Sequence, residues 1–125
     1  MKYSLFFLVF IAFSCGNSEI KTENFKKFNA KFHSDSLFQI SRINFPIDGK
    51  HIMGFSKEIW TKENWQILKK PIGGKVSKEF VQKTEITDSI VIEKIEIPNS
   101  GFHTEVRFKR IKYKWYLVYY NDVEL

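Results

Sequence analysis

From Val76 to Tyr120 the apolar residues fall into a two-residue period broken by short turn signals, and this pattern constrains the fold more than any other feature of the chain. Phe80, Gln82, Thr84 and Ile86 mark one strand, Ser89 to Ile97 a second, Phe102 to Phe108 a third and Trp115 to Tyr120 a fourth. The links at Thr87-Asp88, Pro98-Asn99-Ser100-Gly101 and Lys112 to Lys114 are too short for a crossover helix. Neighbouring strands therefore pair antiparallel, as a meander. In the strand from Phe102 the residues His103, Glu105, Arg107 and Lys109 alternate with apolar ones, as expected of one wet and one dry face. The last strand is apolar on both sides. Strict alternation places Trp115, Leu117 and Tyr119 on one side and Tyr116, Val118 and Tyr120 on the other, so part of the sheet is expected to be covered on both faces. An N-terminal helix is one cover; a loop, a short helix or a second copy of the chain is the other.

The helix is predicted from Thr22, read as its N-cap, to about His33, with Phe25, Phe28 and Phe32 at helical spacing and Lys26, Lys27 and Lys31 on the opposite side. Asp35 and Ser36 restart the chain. Phe38 and Ile40 alternate, slip by one, and resume at Ile43, Phe45 and Ile47, a break expected of a bulge or bend. Pro46 confines this strand to an edge or a bulge, and Asp48-Gly49 signals a two-residue hairpin leading into His51 to Phe55. Thr61 reads as a second N-cap, with Trp60 and Trp65 placed as a hydrophobic staple, for a short helix over about Lys62 to Leu68 that stops before Pro71 and Gly73-Gly74. The expectation is an α+β fold, an N-terminal helix packed on a curved antiparallel sheet of about four to six strands, with a second short helix.

The first residues have a different character. Lys2 precedes an apolar run from Leu5 to Phe13, and Ala12-Phe13-Ser14-Cys15 follows the order of a bacterial lipobox. The run is too short to span a bilayer: nine helical residues cover roughly 14 Å of a core about 30 Å thick. Residues 1–14 are read as a signal peptide, 15–21 as a lipidated cysteine with its tether, and 22–125 as one domain. In that reading Cys15 carries the acyl chains that anchor the protein to the membrane. No Asp follows Cys15, which by sorting logic directs the chain to the outer membrane of the cell envelope. The alternative is an ordinary secretory signal in which Cys15 is incidental.

Cys15 is the single cysteine, so no disulfide can form within the domain and packing alone must hold it. Aromatic residues, 17% of the chain, are the means. Without the signal the chain carries 19 basic and 14 acidic side chains. A net charge of +5 suits anionic lipid head groups in an envelope protein, and nucleic acid is not an expected partner.

The stretch from Phe28 to Ile47, together with Trp60-Thr61-Lys62-Glu63-Asn64-Trp65 and the closing Lys114 to Asp122, resembles a family of uncharacterised Gram-negative lipoproteins built on a domain of unknown function. The resemblance covers nearly the whole mature chain and implies no assigned activity and no catalytic residues. The order of elements also looks like the cystatin-like folds that include nuclear transport factor two, which host enzymes, ligand binders and dimerisation modules alike.

The residues themselves give no catalytic assignment. His33, His51 and His103 lie far apart, so no metal site is expected. No G-x-S-x-G elbow occurs, and Gly73-Gly74-Lys75 lacks the upstream Gly and the following Ser or Thr of a phosphate loop. Asp35, Arg42 and His51 are the ionisable groups nearest a cone-shaped pocket; they read more simply as a cap, a stem packed at the bulge and a hairpin exit. No cofactor is expected, and a binding role is favoured over an enzymatic one, which stays open.

What remains is a lipid-anchored binding or protein-interaction module, with a small-molecule-binding or enzymatic helix–sheet pocket as the alternative. Trp60, Trp65, Trp115, Tyr116 and Tyr120 are the candidate pocket or interface residues, against the plainer reading that they pack the core. Arg107, Lys109, Arg110, Lys112 and Lys114 form a candidate basic contact face for anionic lipid or an acidic envelope partner. A homodimer through the last strands is a further expectation. An interaction module predicts an exposed apolar patch on the sheet, a small-molecule binder an enclosed cavity, and an enzyme a cavity holding a shifted acid or base.

Overall fold

The structure is a computed structural model and describes residues 21–73 and 79–124. The signal peptide, Cys15 and most of its tether, like the Gly74-Lys75 part of the second turn, lie outside the described residues. Two helices, α1 (Phe25–Ser34) and α2 (Ser36–Ser41), precede six strands: β1 (Ile43–Met53), β2 (Ser56–Trp60), β3 (Val81–Ile86), β4 (Ile90–Ile97), β5 (Phe102–Ile111) and β6 (Lys114–Glu124). They form one curved sheet in the order β2-β1-β6-β5-β4-β3, and the fold is α+β.

β3 to β6 are the antiparallel meander that the two-residue period predicts. One pairing differs: β1 runs parallel to β6, so the sheet is mixed. β2 and β3 lie at opposite edges of the sheet and both run opposite to β1, so the connection between them is a crossover rather than a hairpin, and it makes β6 parallel to β1. β6 is thus central, with both hydrogen-bonding edges occupied, which leaves no edge there for a second copy to pair with.

The N-cap of α1 is Asn24, whose side chain accepts from the Lys27 N–H, rather than Thr22. Phe28 and Phe32 are buried against Phe108, and Phe25 packs edge-on against Phe108 and Trp115 at 5.5 and 5.0 Å. This aromatic stripe is core, as its spacing predicts. The slip after Ile40 has another cause than a bulge: Ser36–Ser41 is helical, capped by Asp35, whose carboxylate accepts from the Phe38 N–H at 3.0 Å. That is the second short helix. Lys62 to Leu68, where the sequence predicts one, forms turns and irregular backbone instead. Its signals are real but local. Thr61 and Asn64 exchange side-chain to backbone hydrogen bonds, and Trp60 and Trp65 stack edge-on at 5.4 Å, closing one turn with no helix to follow.

Asp48-Gly49 makes no hairpin turn. It lies within β1 at a register break, and the chain reverses at Gly54-Phe55 instead. Gly49 adopts φ +99°, and an added Cβ would collide with the Tyr120 carbonyl oxygen. The glycine lets two backbones approach, so it serves the bulge rather than the turn. Pro46 also sits at this irregular stretch, with no N–H to give a ladder.

Candidate functional site

Residues paired across neighbouring strands share a face, so the register sorts the sheet. Arg107 pairs with Tyr119 but Phe108 with Leu117, which leaves Val118 as an extra residue in β6. The bulge reverses the alternation beyond it. Trp115, Leu117 and Tyr120 therefore share the inner face, beneath the helices, while Tyr116 and Tyr119 point outward. Strict alternation places Tyr119 and Tyr120 on the opposite sides, and the bulge corrects it.

The inner face changes character along its length. Val91, Phe108, Leu117 and Ile43 form one cross-strand row, buried under the phenylalanines of α1. The next row reads Thr84, Glu93, Val106 and Tyr120, with Trp60 packed on Tyr120 at 5.1 Å. The third runs across all six strands as Gln82, Ile95, Thr104, Asp122, His51 and Glu58. A dry end thus grades into a polar one within two rows.

At the polar end Asp122 is the hub. Its Oδ1 accepts from the Thr104 hydroxyl at 2.9 Å, and its Oδ2 lies 3.3 Å from His51 Nδ1. That nitrogen is buried yet has no hydrogen bond of good geometry, and Glu93 Oε2 is likewise buried without a partner. Burial pushes the Glu93 carboxyl above its ordinary range. Burial, with Asp122 and Glu124 nearby, also pushes the Tyr120 phenol up, so its hydroxyl stays a proton donor at any physiological pH. A buried polar atom left unpaired costs about 1–3 kcal/mol. A third orphan, Asn29 Oδ1, belongs to α1.

The predicted aromatic residues divide. Trp60, Trp65 and Tyr120 converge on the inner face, with ring centroids 5.1 to 5.4 Å apart. Trp115 is 3% exposed and belongs to the dry end, while Tyr116 lies on the outer face beside the Lys112-Tyr113 turn. Trp60 and Tyr120 are themselves buried, so they wall the polar end rather than open onto solvent. The five cations of the predicted basic face do not share one surface. Arg107 and Lys109 point outward, Arg110 pairs with Trp115 on the inner side, and Lys112 and Lys114 stand at the hairpin end. Arg107 is already engaged by Glu105 and lies over the Tyr119 ring at 4.1 Å. Lys94 reaches Glu105 at 3.1 Å. Among the described residues, this part of the outer face is covered by Arg107 and Lys94 gathered on Glu105, with Arg107 laid over Tyr119.

Of the ionisable groups singled out from sequence, only His51 reaches the polar end. Arg42 does more than pack its stem: it forms a two-pronged pair with Glu23 at 2.6 and 2.9 Å and donates to the Trp115 carbonyl. Burial alone would push the Glu23 carboxyl up, but Arg42 and the Trp115 N–H hold it below its ordinary value. His103 lies on the outer face, 3.0 Å from the Asn121 side-chain nitrogen. His33 bonds the Asn29 carbonyl on α1, where burial pushes its pKa down. Among the described residues no group of three or more His, Cys, Asp or Glu converges as metal ligands, and no helix is long and apolar enough to cross a membrane.

Glu93, Asp122 and Gln39 are missed by sequence reasoning. Glu93 had a signal, since it falls in phase with Val91, Ile95 and Ile97. Asp122 required the Val118 bulge. Gln39 is fully buried and makes four hydrogen bonds, donating to the Phe32 and Leu68 carbonyls and accepting from the Leu68 N–H and the Trp65 indole. It fixes the 65–68 loop against the helices, and so positions Trp65.

A protein-family model described as "-like:-like" matches residues 23–124. No curated protein matches the sequence at a significant level. Among solved structures, an NMR structure of a protein from Bacteroides uniformis is similar at 23% identity and a TM-score of 0.62, covering 82% of this chain and 78% of that one. A crystal structure of an NTF2-like protein from Bacteroides fragilis is similar at 22% identity and a TM-score of 0.52. It covers 86% of this chain, which spans half the length of that protein. At these identities the likeness shows the fold, and the fold is NTF2-like.

Proposed function

The chain belongs to the uncharacterised family whose model spans residues 23–124, and on that premise we propose that it is a lipid-anchored binding module of the cell envelope. Acylated Cys15 holds it to the membrane, in the outer membrane by the sorting logic of the residues after Cys15. The polar end of the inner face, Glu93, Thr104, Tyr120, Asp122 and His51, takes a small ligand that presents hydroxyl or ammonium donors. The observation that carries this reading is the buried, unpartnered Glu93 Oε2 on the face where Asp122 gathers Thr104 and, at 3.3 Å, His51. Catalysis is not required, because binding alone satisfies that oxygen.

The anchor is tested by mass spectrometry of the N-terminal peptide and by fractionation of a Cys15→Ala variant, which should leave the membrane. The ligand site is tested by thermal-shift screening with polyols and amines against the wild-type chain and Asp122→Asn. A ligand that stabilises the first and not the second supports the site; equal stabilisation of both places binding elsewhere.

One observation favours a second reading, a protein partner at the β2 edge. Phe55 and Ile59 are exposed there, beside a cavity of about 370 Å³ lined by Phe45, Pro46, Ile59, Thr61, Lys62 and Glu63. Cross-linking from Ile59 in intact envelopes would capture such a partner.

A further inference from the structure

The end of the sheet where β5 turns into β6 carries a cavity of about 360 Å³. Three lysines line it, Lys21, Lys112 and Lys114, together with Ile111, Tyr113 and Tyr116. Glu23 also borders it but does not offset the lysines, because both its oxygens are taken by Arg42 and one of them also by the Trp115 N–H at 2.8 Å. Ile111 and Tyr113 remain 42% and 46% exposed. Cations around an apolar, aromatic rim match a membrane interface, where ammonium groups meet phosphates and tyrosine sits at head-group depth.

Chain connectivity points the same way. The Glu23 N–H donates to the Tyr113 carbonyl at 2.9 Å, so the chain leaves the domain towards its N-terminus from this very turn. Five residues separate Cys15 from Lys21, six steps with a reach of about 20 Å when extended. The opposite end of the sheet, at the Gly54-Phe55 turn, lies a β1 length away, about 30 Å. Resting on the lipid-anchored reading above, we propose that the Lys112-Tyr113 end docks on the anionic head groups of the membrane that holds Cys15, with Lys21, Lys112 and Lys114 on lipid phosphates. The β1–β2 turn then faces away from the bilayer.

Two labelling positions separate the ends. Ser89 lies at the docking end, where its carbonyl accepts from the Arg110 N–H, and Ser56 at the far end. Once Cys15 is acylated, an introduced cysteine is the one free thiol. Ser89→Cys and Ser56→Cys would each be labelled with a fluorophore in the full lipidated chain and placed in vesicles of phosphatidylcholine, with or without phosphatidylglycerol. A head-group quencher should quench position 89 far more than 56 in anionic vesicles, and added salt should reduce the difference. Lys112→Gly with Lys21→Gln and Lys114→Gln should abolish the preference, since each lysine near the surface is worth about fivefold in occupancy. Lys112 adopts φ 59°, so glycine there relaxes the turn and spares the fold. Equal quenching at both positions, or no response to the lysine changes, would overturn the docking while leaving the anchor intact. An N-terminal peptide without the acyl mass would overturn the anchor, and with it the tether argument.

Discussion

The two ends of the inner face are built from the same strands and differ in how completely their atoms are satisfied. Under α1, Phe25, Phe28 and Phe32 close over Phe108 and Trp115, and apart from Asn29 Oδ1 the polar groups nearby are engaged: Glu23 by Arg42 and Trp115, and Gln39 by four partners. Further along the same face Glu93 holds a buried oxygen with no partner, and His51 Nδ1 meets Asp122 Oδ2 only at 3.3 Å. The first end is what packing alone produces. The second leaves buried polar groups less completely paired, at a cost in stability.

Substitutions should therefore behave oppositely at the two ends. The largest loss is expected for Gln39→Ala, which opens a cavity and strands the Phe32 and Leu68 carbonyls, the Leu68 N–H and the Trp65 indole; about 4 kcal/mol should disappear in urea denaturation. Gly49→Ala should cost about 3 kcal/mol, because its Cβ would overlap the Tyr120 carbonyl carbon and oxygen in a backbone region that favours glycine. It strikes the seam between β1 and β6, so both ends should loosen together.

Glu23→Gln should cost about 2 kcal/mol at neutral pH by leaving Arg42 without its carboxylate. The folded pKa of Glu23 lies below its ordinary value, so its contribution is present above that value and is lost as pH falls through the folded one. The difference between wild type and variant should accordingly shrink in acid. Glu93→Gln should do the reverse. Its folded pKa is raised, so the native state holds a proton that the unfolded chain releases, and stability falls as pH climbs from the ordinary carboxylate range through the raised value. The variant should be more stable at neutral pH by less than about 1 kcal/mol, given partial solvent screening, and show no advantage in acid. A loss of stability in Glu93→Gln at neutral pH would mean that this carboxylate is a packing element like Glu23, and the contrast between the ends would fail.

The dry end was largely legible in the sequence because it follows local rules. The phenylalanine spacing of α1 and the two-residue period of β3 to β6 identify its elements, and the faces follow up to Leu117. The polar end was not, because one extra residue decides it. Val118 turns Tyr120 and Asp122 inward, and nothing in a run of Leu117-Val118-Tyr119-Tyr120 reveals which residue bulges. The short helix expected after Thr61 shows a related limit. Its cap and its tryptophan pair formed, but the loop that follows is held by Gln39, a residue 26 positions before Trp65, instead of by helical hydrogen bonds. Long-range hydrogen bonding overrode a correct local signal.

The most direct test of the binding account is an NMR titration of the labelled chain with the best polyol or amine from the screen. The account predicts shift changes centred on His51, Glu93, Thr104, Tyr120 and Asp122, loss of those changes in Asp122→Asn, and undisturbed signals from Phe28, Phe32 and Phe108. Changes centred on the dry end or on the β2 edge, or an Asp122→Asn variant that binds as well as the wild type, would contradict it.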